Sequence, residues 1–123
     1  GFTHFWGKSR KGFWVVQRKT ASSRFSRALK RISAWMRRFA HEPVRWQHQQ
    51  LVAKLRGHDN YYGIAGNWKS LARFRHETAR VWRSRLGRRN RNGPMSWRRF
   101  RLLLKRYPFP KPEVRPRACA ANP

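Results

Sequence analysis

Acidic residues are nearly missing from this chain. Glu42, Asp59, Glu77 and Glu113 stand alone against 31 lysines and arginines. Phosphoryl-transfer chemistry by two metal ions needs clustered carboxylates, and these four are too scattered in sequence to suggest a pair. Cysteine is just as scarce. Cys119, in a Pro/Ala-rich tail, is the only one, which excludes an internal disulfide and a cysteine-rich zinc site. The five histidines, His4, His41, His48, His58 and His76, show no ligand spacing with cysteine. There is no run of about 18 apolar residues to span a bilayer, and no signal peptide with an apolar core. No glycine-rich loop precedes a helix in the manner of a nucleotide site. The sequence therefore predicts no catalytic residues, no metal and no cofactor, and on its own this chain is expected to catalyse nothing.

What remains is positive charge and aromatic surface. The formal charge is +27, and such a chain repels itself unless an anionic partner or high salt compensates. Seven Trp, three Tyr and eight Phe argue against simple disorder, which is poor in aromatics. Basic charge with many aromatics suits RNA better than a membrane surface. At 123 residues the chain is one domain that buries roughly 65% of its unfolded surface.

The pattern predicts a mainly α fold: a helical bundle of three to four helices behind a short N-terminal β-hairpin. Residues 1–20 hold two aromatic and β-branched runs, Phe2 to Trp6 and Phe13 to Arg18, around Gly7-Lys8-Ser9-Arg10-Lys11-Gly12. This reads as a hairpin with a basic loop, whose Lys8, Arg10 and Lys11 form either a solvated tip or a phosphate grip. A lone hairpin is marginal, so it is expected to pack on the helices or on a further domain. The helical part covers residues 21–107. Ser22 or Ser23 caps a first helix running to about Phe39, with Phe25, Leu29, Ile32, Met36 and Phe39 as its core stripe. Arg24, Arg27, Arg31 and Arg38 lie along one flank. A second helix opens at Glu42-Pro43 and ends near Gly63. Gly63-Ile64-Ala65-Gly66 is short enough to force an antiparallel hairpin with a third helix capped by Asn67. Trp68, Leu71, Phe74, Thr78, Val81, Trp82 and Leu86 form the buried side of that helix. Arg73, His76, Arg80 and Arg83 form a basic stripe opposite, with Glu77 as a local charge partner. Arg88 and Arg89 begin a basic loop. Ser96 caps a fourth helix with Met95 and Phe100 as a hydrophobic staple, and Trp97, Phe100, Leu104 and Tyr107 as its core contacts. Residues 108–123, with four prolines up to Pro116, predict an extended tail.

The stretch Leu55-Arg56-Gly57-His58-Asp59-Asn60-Tyr61-Tyr62-Gly63 lies in the second helix and holds the only Asp of the chain. At 100° per residue, Val44, Leu51, Leu55, His58 and Tyr62 fall within about a 60° sector, so Tyr62 is expected in the core. Arg56 and Asn60 point away from it. Gly57 leaves a notch, either for a crossing helix or for a planar group. Tyr61 lies off the stripe above that notch; its ring either stacks on an unpaired base or packs against a neighbouring helix.

This stretch resembles the Leu-Arg-Gly-x-x-Asn-Tyr-Tyr signature of bacterial group II intron reverse transcriptase/maturases. Two further segments agree in order. Gly1-Phe2-Thr3-His4 with Gly7-Lys8-Ser9-Arg10-Lys11-Gly12 resembles that family's passage out of the polymerase palm. Ser96-Trp97-Arg98-Arg99-Phe100 with Arg106-Tyr107-Pro108-Phe109-Pro110-Lys111-Pro112 resembles its C-terminal ending. The likeness covers roughly residues 1 to 112 and implies the thumb/maturase region, so the chain is expected to be the C-terminal part of something longer. The palm with its Tyr-Ala-Asp-Asp motif would precede Gly1, and nothing among residues 1–123 is expected to correspond to the family's zinc-bearing endonuclease domain. The resemblance implies a bacterial cytoplasmic RNA-binding domain that assists the folding and splicing of group II intron RNA. Joined to its palm and fingers, it would hold an RNA–DNA template–primer duplex. The expected RNA contacts are Lys8, Arg10, Lys11, Arg27, Arg31, Arg56, Asn60, Tyr61, Arg73, His76, Arg80, Arg83, Arg88 and Arg89. The competing readings are an unrelated basic protein of the ribosomal kind, a cationic membrane-active protein, and a non-functional remnant of an intron reading frame.

Overall fold

A computed structural model describes residues 2–8, 11–89 and 93–115, with the side chains of Lys8 and of residues 15–18 left outside the description. Two strands, β1 (Phe2–Lys8) and β2 (Trp14–Thr20), pair antiparallel from Phe2↔Thr20 to Lys8↔Trp14. Gly12 takes φ +85 in the connection, a conformation that residues with a Cβ rarely adopt. Four helices follow: α1 (Ser22–Arg38), α2 (Val44–Tyr62), α3 (Trp68–Arg88) and α4 (Trp97–Arg106). The fold is the expected mainly helical one with an N-terminal hairpin.

The helices are held in place by pairs far apart in sequence. Gln47 meets Trp82, His58 meets Phe74 and Asp59 meets Arg75, so α2 and α3 run antiparallel. Phe25 lies edge-on to Phe74 at 5.5 Å, which sets α1 beside the same part of α3. The core is Ile32, Met36, Leu51, Leu55, Phe74, Ala79, Trp82, Leu86 and Phe100, with Leu71 buried as well. Trp82 lies at its middle. Phe100 of α4 meets its ring edge-on at 5.8 Å, Phe109 stacks on it at 5.7 Å, and its indole N–H donates to Gln47 Oε1 at 3.0 Å. Gln47 in turn donates to the Phe39 carbonyl at 2.8 Å, so this buried amide has both ends satisfied.

Several expectations change. The first residue flanking α1 is Ala21, without a side-chain cap, so neither Ser22 nor Ser23 closes that helix. Pro43 is the flanking residue of α2 rather than its first turn. Asn67 flanks α3, but its side chain caps nothing there. Instead Oδ1 accepts from the Thr20 N–H at 2.8 Å, while Nδ2 donates to Thr20 Oγ1 at 2.9 Å and to the Tyr62 carbonyl at 2.8 Å. It thereby ties the end of the hairpin to the α2–α3 turn. Phe2, edge-on to Tyr62 at 5.4 Å, makes the second tie, so the hairpin does pack on the helices. Trp68 is 54% exposed, although Asn67 and Leu71 on either side of it are buried. Trp97 is 38% exposed and meets the Phe100 ring edge-on at 5.9 Å. The Ser96 cap forms as expected, its hydroxyl accepting from the Arg99 N–H.

The proline-rich tail is extended through residue 115, but it is strapped down. Asp59 and Arg75 form a buried ion pair at its centre, with Nη1–Oδ1 at 2.9 Å and Nη2–Oδ2 at 2.5 Å. Arg75 Nε also donates to the Pro110 carbonyl at 2.6 Å, and Asp59 Oδ2 accepts from the Glu113 N–H at 3.2 Å. His48 Nε2 lies 2.7 Å from the Pro108 carbonyl, and the Arg115 N–H donates to the Gly63 carbonyl at 2.7 Å. Residues 116–123, including Cys119, lie outside the described residues.

Candidate nucleic-acid interface

α1 turns Arg24, Arg27 and Arg31 to solvent at spacings of three and four, along one side of the helix. Across from them α2 presents Gly57, His58 and Tyr61. Between the two helices lies a groove of about 320 Å³. Ala28 and Gly57, each with little or no side chain, keep it open. A Cβ placed on Gly57 would meet nothing within 4 Å, so this glycine serves no helix crossing.

The groove floor is His58. Its ring lies parallel on Phe74 at 3.8 Å and 4.8 Å from Tyr62, and its Nε2 is buried with no hydrogen-bond partner. Burial pushes the imidazole pKa down to about 4 and the nearby Arg75 adds to that, while Asp59 opposes it. His58 is therefore neutral at pH 7. Tyr61 is 64% exposed and touches Tyr62 edge-on at 4.6 Å, so it does not pack against a neighbouring helix. Tyr62 is half-buried between Phe2 and His58 rather than enclosed in the core. Arg56 and Asn60 are exposed on the outward side of α2.

The basic stripe on α3 is less uniform than its spacing suggests. Arg73 is exposed with its guanidinium 5.0 Å from the Phe25 ring centre. His76 is exposed and lies parallel to Trp97 at 6.4 Å. Arg80 pairs with Glu77 at 3.2 Å on the surface, the local partnership expected of that glutamate. Arg83 departs from the stripe. Its Nη1 donates to the Met95 carbonyl at 2.5 Å and its guanidinium covers the Trp97 ring at 4.3 Å. Arg83 thus joins α3 to the segment before α4 while staying half-exposed. Arg89 likewise donates to the Glu42 carbonyl at 2.9 Å, although it stays exposed. Lys11 is exposed in the hairpin connection; the Lys8 side chain and Arg10 lie outside the described residues.

A second basic cavity, about 410 Å³, lies between α1 and α3, with Arg80, Arg83, Arg85 and Arg88 as the cations of its lining and Glu77 as the acid. Partial burial, then repulsion from Arg88 and Arg37, pushes the Arg85 guanidinium below its usual range. Arg85 lies off the α3 stripe, and Arg37 lies with Lys30 on the other flank of α1 from Arg24, Arg27 and Arg31, so neither was among the expected RNA contacts.

Among the described residues two ion pairs form, Asp59–Arg75 and Glu77–Arg80, which leaves most cations without a carboxylate. Among the same residues no three of His, Cys, Asp and Glu come together as a metal site would need, and no helix is long and apolar enough to cross a membrane. No protein-family model, no curated protein and no solved structure matches this chain.

Proposed function

We propose that this chain is an RNA-binding domain of the group II intron maturase kind, which neutralises phosphates where intron RNA segments pack together. The observation that carries the RNA-binding part is the α1–α3 cavity, which gathers Arg80, Arg83, Arg85 and Arg88 with Glu77 as the one acid in its lining. A like-charge cluster kept in a fold is relieved when a polyanion enters it, and phosphate does this with shorter, charge-assisted hydrogen bonds. The intron specificity rests on the resemblance of residues 55–63 and the two flanking segments to that family. In this reading the RNA performs the transesterifications. Within an intact polymerase the same surface would hold a template–primer duplex. Exposed cations on α1 and α3, with Arg56 and Asn60 on α2, are the contacts.

The test is binding of a group II intron RNA as a function of salt, with splicing of that RNA followed at limiting magnesium. Neutralising about six to ten phosphates lowers affinity by about 10³-fold or more between 50 and 200 mM salt. The chain is expected to speed splicing at concentrations where it binds. A salt-independent dissociation constant refutes the electrostatic mechanism, and tight binding without any effect on splicing refutes the maturase role.

A further inference from the structure

The groove between α1 and α2 differs from the rest of the basic surface, and four observations point to what it takes. Its rim carries three arginines without a carboxylate partner among the described residues, Arg24, Arg27 and Arg31. Its opposite lip is Tyr61, an aromatic ring 64% exposed and held edge-on by Tyr62, so that a face of the ring is available. Its floor is an imidazole locked parallel on Phe74, with an Nε2 whose hydrogen-bonding capacity the protein leaves unfilled. Its size, about 320 Å³, is at the low end of the roughly 300–1,000 Å³ typical of small-ligand sites. An aromatic face beside a cationic rim is the pairing that single-stranded nucleic acid uses, base on ring and phosphate on cation. A duplex has no free base face to offer; a bulge or loop does.

We propose that the α1–α2 groove is a pocket for one unpaired nucleotide of RNA, with its base stacked on Tyr61 over Gly57 and its flanking phosphates held by Arg24, Arg27 and Arg31. The proposal rests on the RNA-binding reading above and adds to it a site that distinguishes bulged from paired RNA. Each part of the groove has a role in this. Gly57 leaves the ring of Tyr61 uncovered on the groove side, since a side chain there would occupy the space of the base. The three arginines lie one turn apart along α1 and follow a backbone rather than a single phosphate. The aliphatic stems of arginines can lie along the sugar edge while their heads reach the phosphates. His58 offers an uncharged polar floor, so the groove is not simply another attractive spot for phosphate.

The experiment uses the full chain and two RNA hairpins of equal length, one fully paired and one with a single bulged 2-aminopurine, in 150 mM salt. Fluorescence anisotropy reads affinity, and 2-aminopurine emission reads stacking. The wild-type chain is expected to bind the bulged RNA about 5- to 150-fold more tightly, the factor one base–aromatic stack is worth, and to quench the bulged base. Tyr61→Leu should lose both the preference and the quenching; Tyr61→Phe should keep both. Because Tyr61 is largely exposed, its replacement leaves the fold intact, which circular dichroism checks. Arg27→Ala with Arg31→Ala should weaken the bulged RNA more than the paired one. If wild type binds both hairpins equally, or Tyr61→Leu keeps the preference, the nucleotide pocket is wrong while general RNA binding stands. If neither hairpin binds, both readings fall together.

Discussion

Replacing Asp59 by Asn removes one negative charge and almost no volume, so it isolates what the buried ion pair does. Arg75 is only 8% exposed and its guanidinium is saturated: Asp59 takes Nη1 and Nη2, while the carbonyls of Leu71, Pro110 and Lys111 accept its remaining donors. In Asp59→Asn the guanidinium keeps its charge, loses its counter-ion and faces an amide NH₂ with nothing to accept. Breaking one partner of a buried pair costs about 3–5 kcal/mol, a large share of the 5–15 kcal/mol that holds a domain together. With a urea slope of about 1.5 kcal/mol per molar, the midpoint falls by roughly 2–3 M. Unfolding is followed by tryptophan fluorescence at high salt, where self-repulsion is screened. The strap gives an independent readout. Glu113 donates its N–H to Asp59 Oδ2, so a glutamate-specific protease should cut after Glu113 faster in the variant, relative to its rate at the exposed Glu42. Asp59→Leu combined with Arg75→Met leaves no buried charge and should recover part of the lost stability, yet the strap stays loose. A midpoint within about 0.5 M of wild type, with unchanged cleavage after Glu113, would refute the reasoning.

Two further outcomes test other parts of the fold. His58 takes up its proton at about 4 in the folded chain and near 6.5 when unfolded, so its contribution to stability is complete above pH 6.5 and is lost as pH falls towards 4. The urea midpoint of wild type should therefore fall more steeply between pH 6.5 and 4 than that of His58→Gln, a difference that sets aside Asp59, which both proteins share; parallel profiles would contradict the burial of the imidazole. Gly57→Ala should raise stability by about 0.5–1 kcal/mol, since the added methyl meets nothing and helix entropy improves. Gly63→Ala should lower it well beyond that amount, because the methyl runs into the carbonyl oxygens of Asp59 and Glu113. Equal urea midpoints for these two variants would contradict the tight turn.

The frame of this protein was legible because it depends on local periodicity. The α1 stripe from Phe25 to Met36 and the Leu51/Leu55 sector of α2 face the core as read, whereas Phe39 packs on Trp35 and Trp46 beyond it, and the turn at residues 63–66 does reverse the chain. What could not be read is what distant partners decide. Gln47 and Asp59 are polar, so an apolar stripe leaves them out, yet both are buried because Trp82 and Arg75 arrive from α3 to satisfy them. Trp68 has the right spacing for burial but is 54% exposed, while Asn67 and Leu71 beside it are buried. Arg83 has the right spacing for a solvent face and is turned inward by a backbone carbonyl twelve residues away. Of the groove, Arg27, Arg31, Gly57 and Tyr61 were visible in the sequence. Arg24 was seen as part of a charged flank without a role, and His58 was counted as core. Its place on the groove floor follows from Phe74 lying beneath it.

The scarcity of carboxylates bears on how the arginines divide their work. A basic fold usually offsets its interior cations with Asp and Glu, but here Arg83, Arg89 and most of the donors of Arg75 end on backbone carbonyls of Met95, Glu42, Pro110, Leu71 and Lys111. A carbonyl satisfies the donors and leaves the charges of Arg83 and Arg89 uncancelled, while Asp59 neutralises Arg75. These arginines fasten loops and tail to the bundle, Arg83 and Arg89 while adding to the positive field, whereas the exposed ones on α1 and on the α1–α3 cavity add to the field and fasten nothing. The two sets act in opposite directions on the free chain, one holding it together and one driving it apart. Polyanion binding releases the opposition by engaging the second set without disturbing the first. A fold arranged in this way gains compactness from the same partner that its surface attracts, so RNA should stabilise the chain most at low salt, where affinity is highest and the free chain repels itself most.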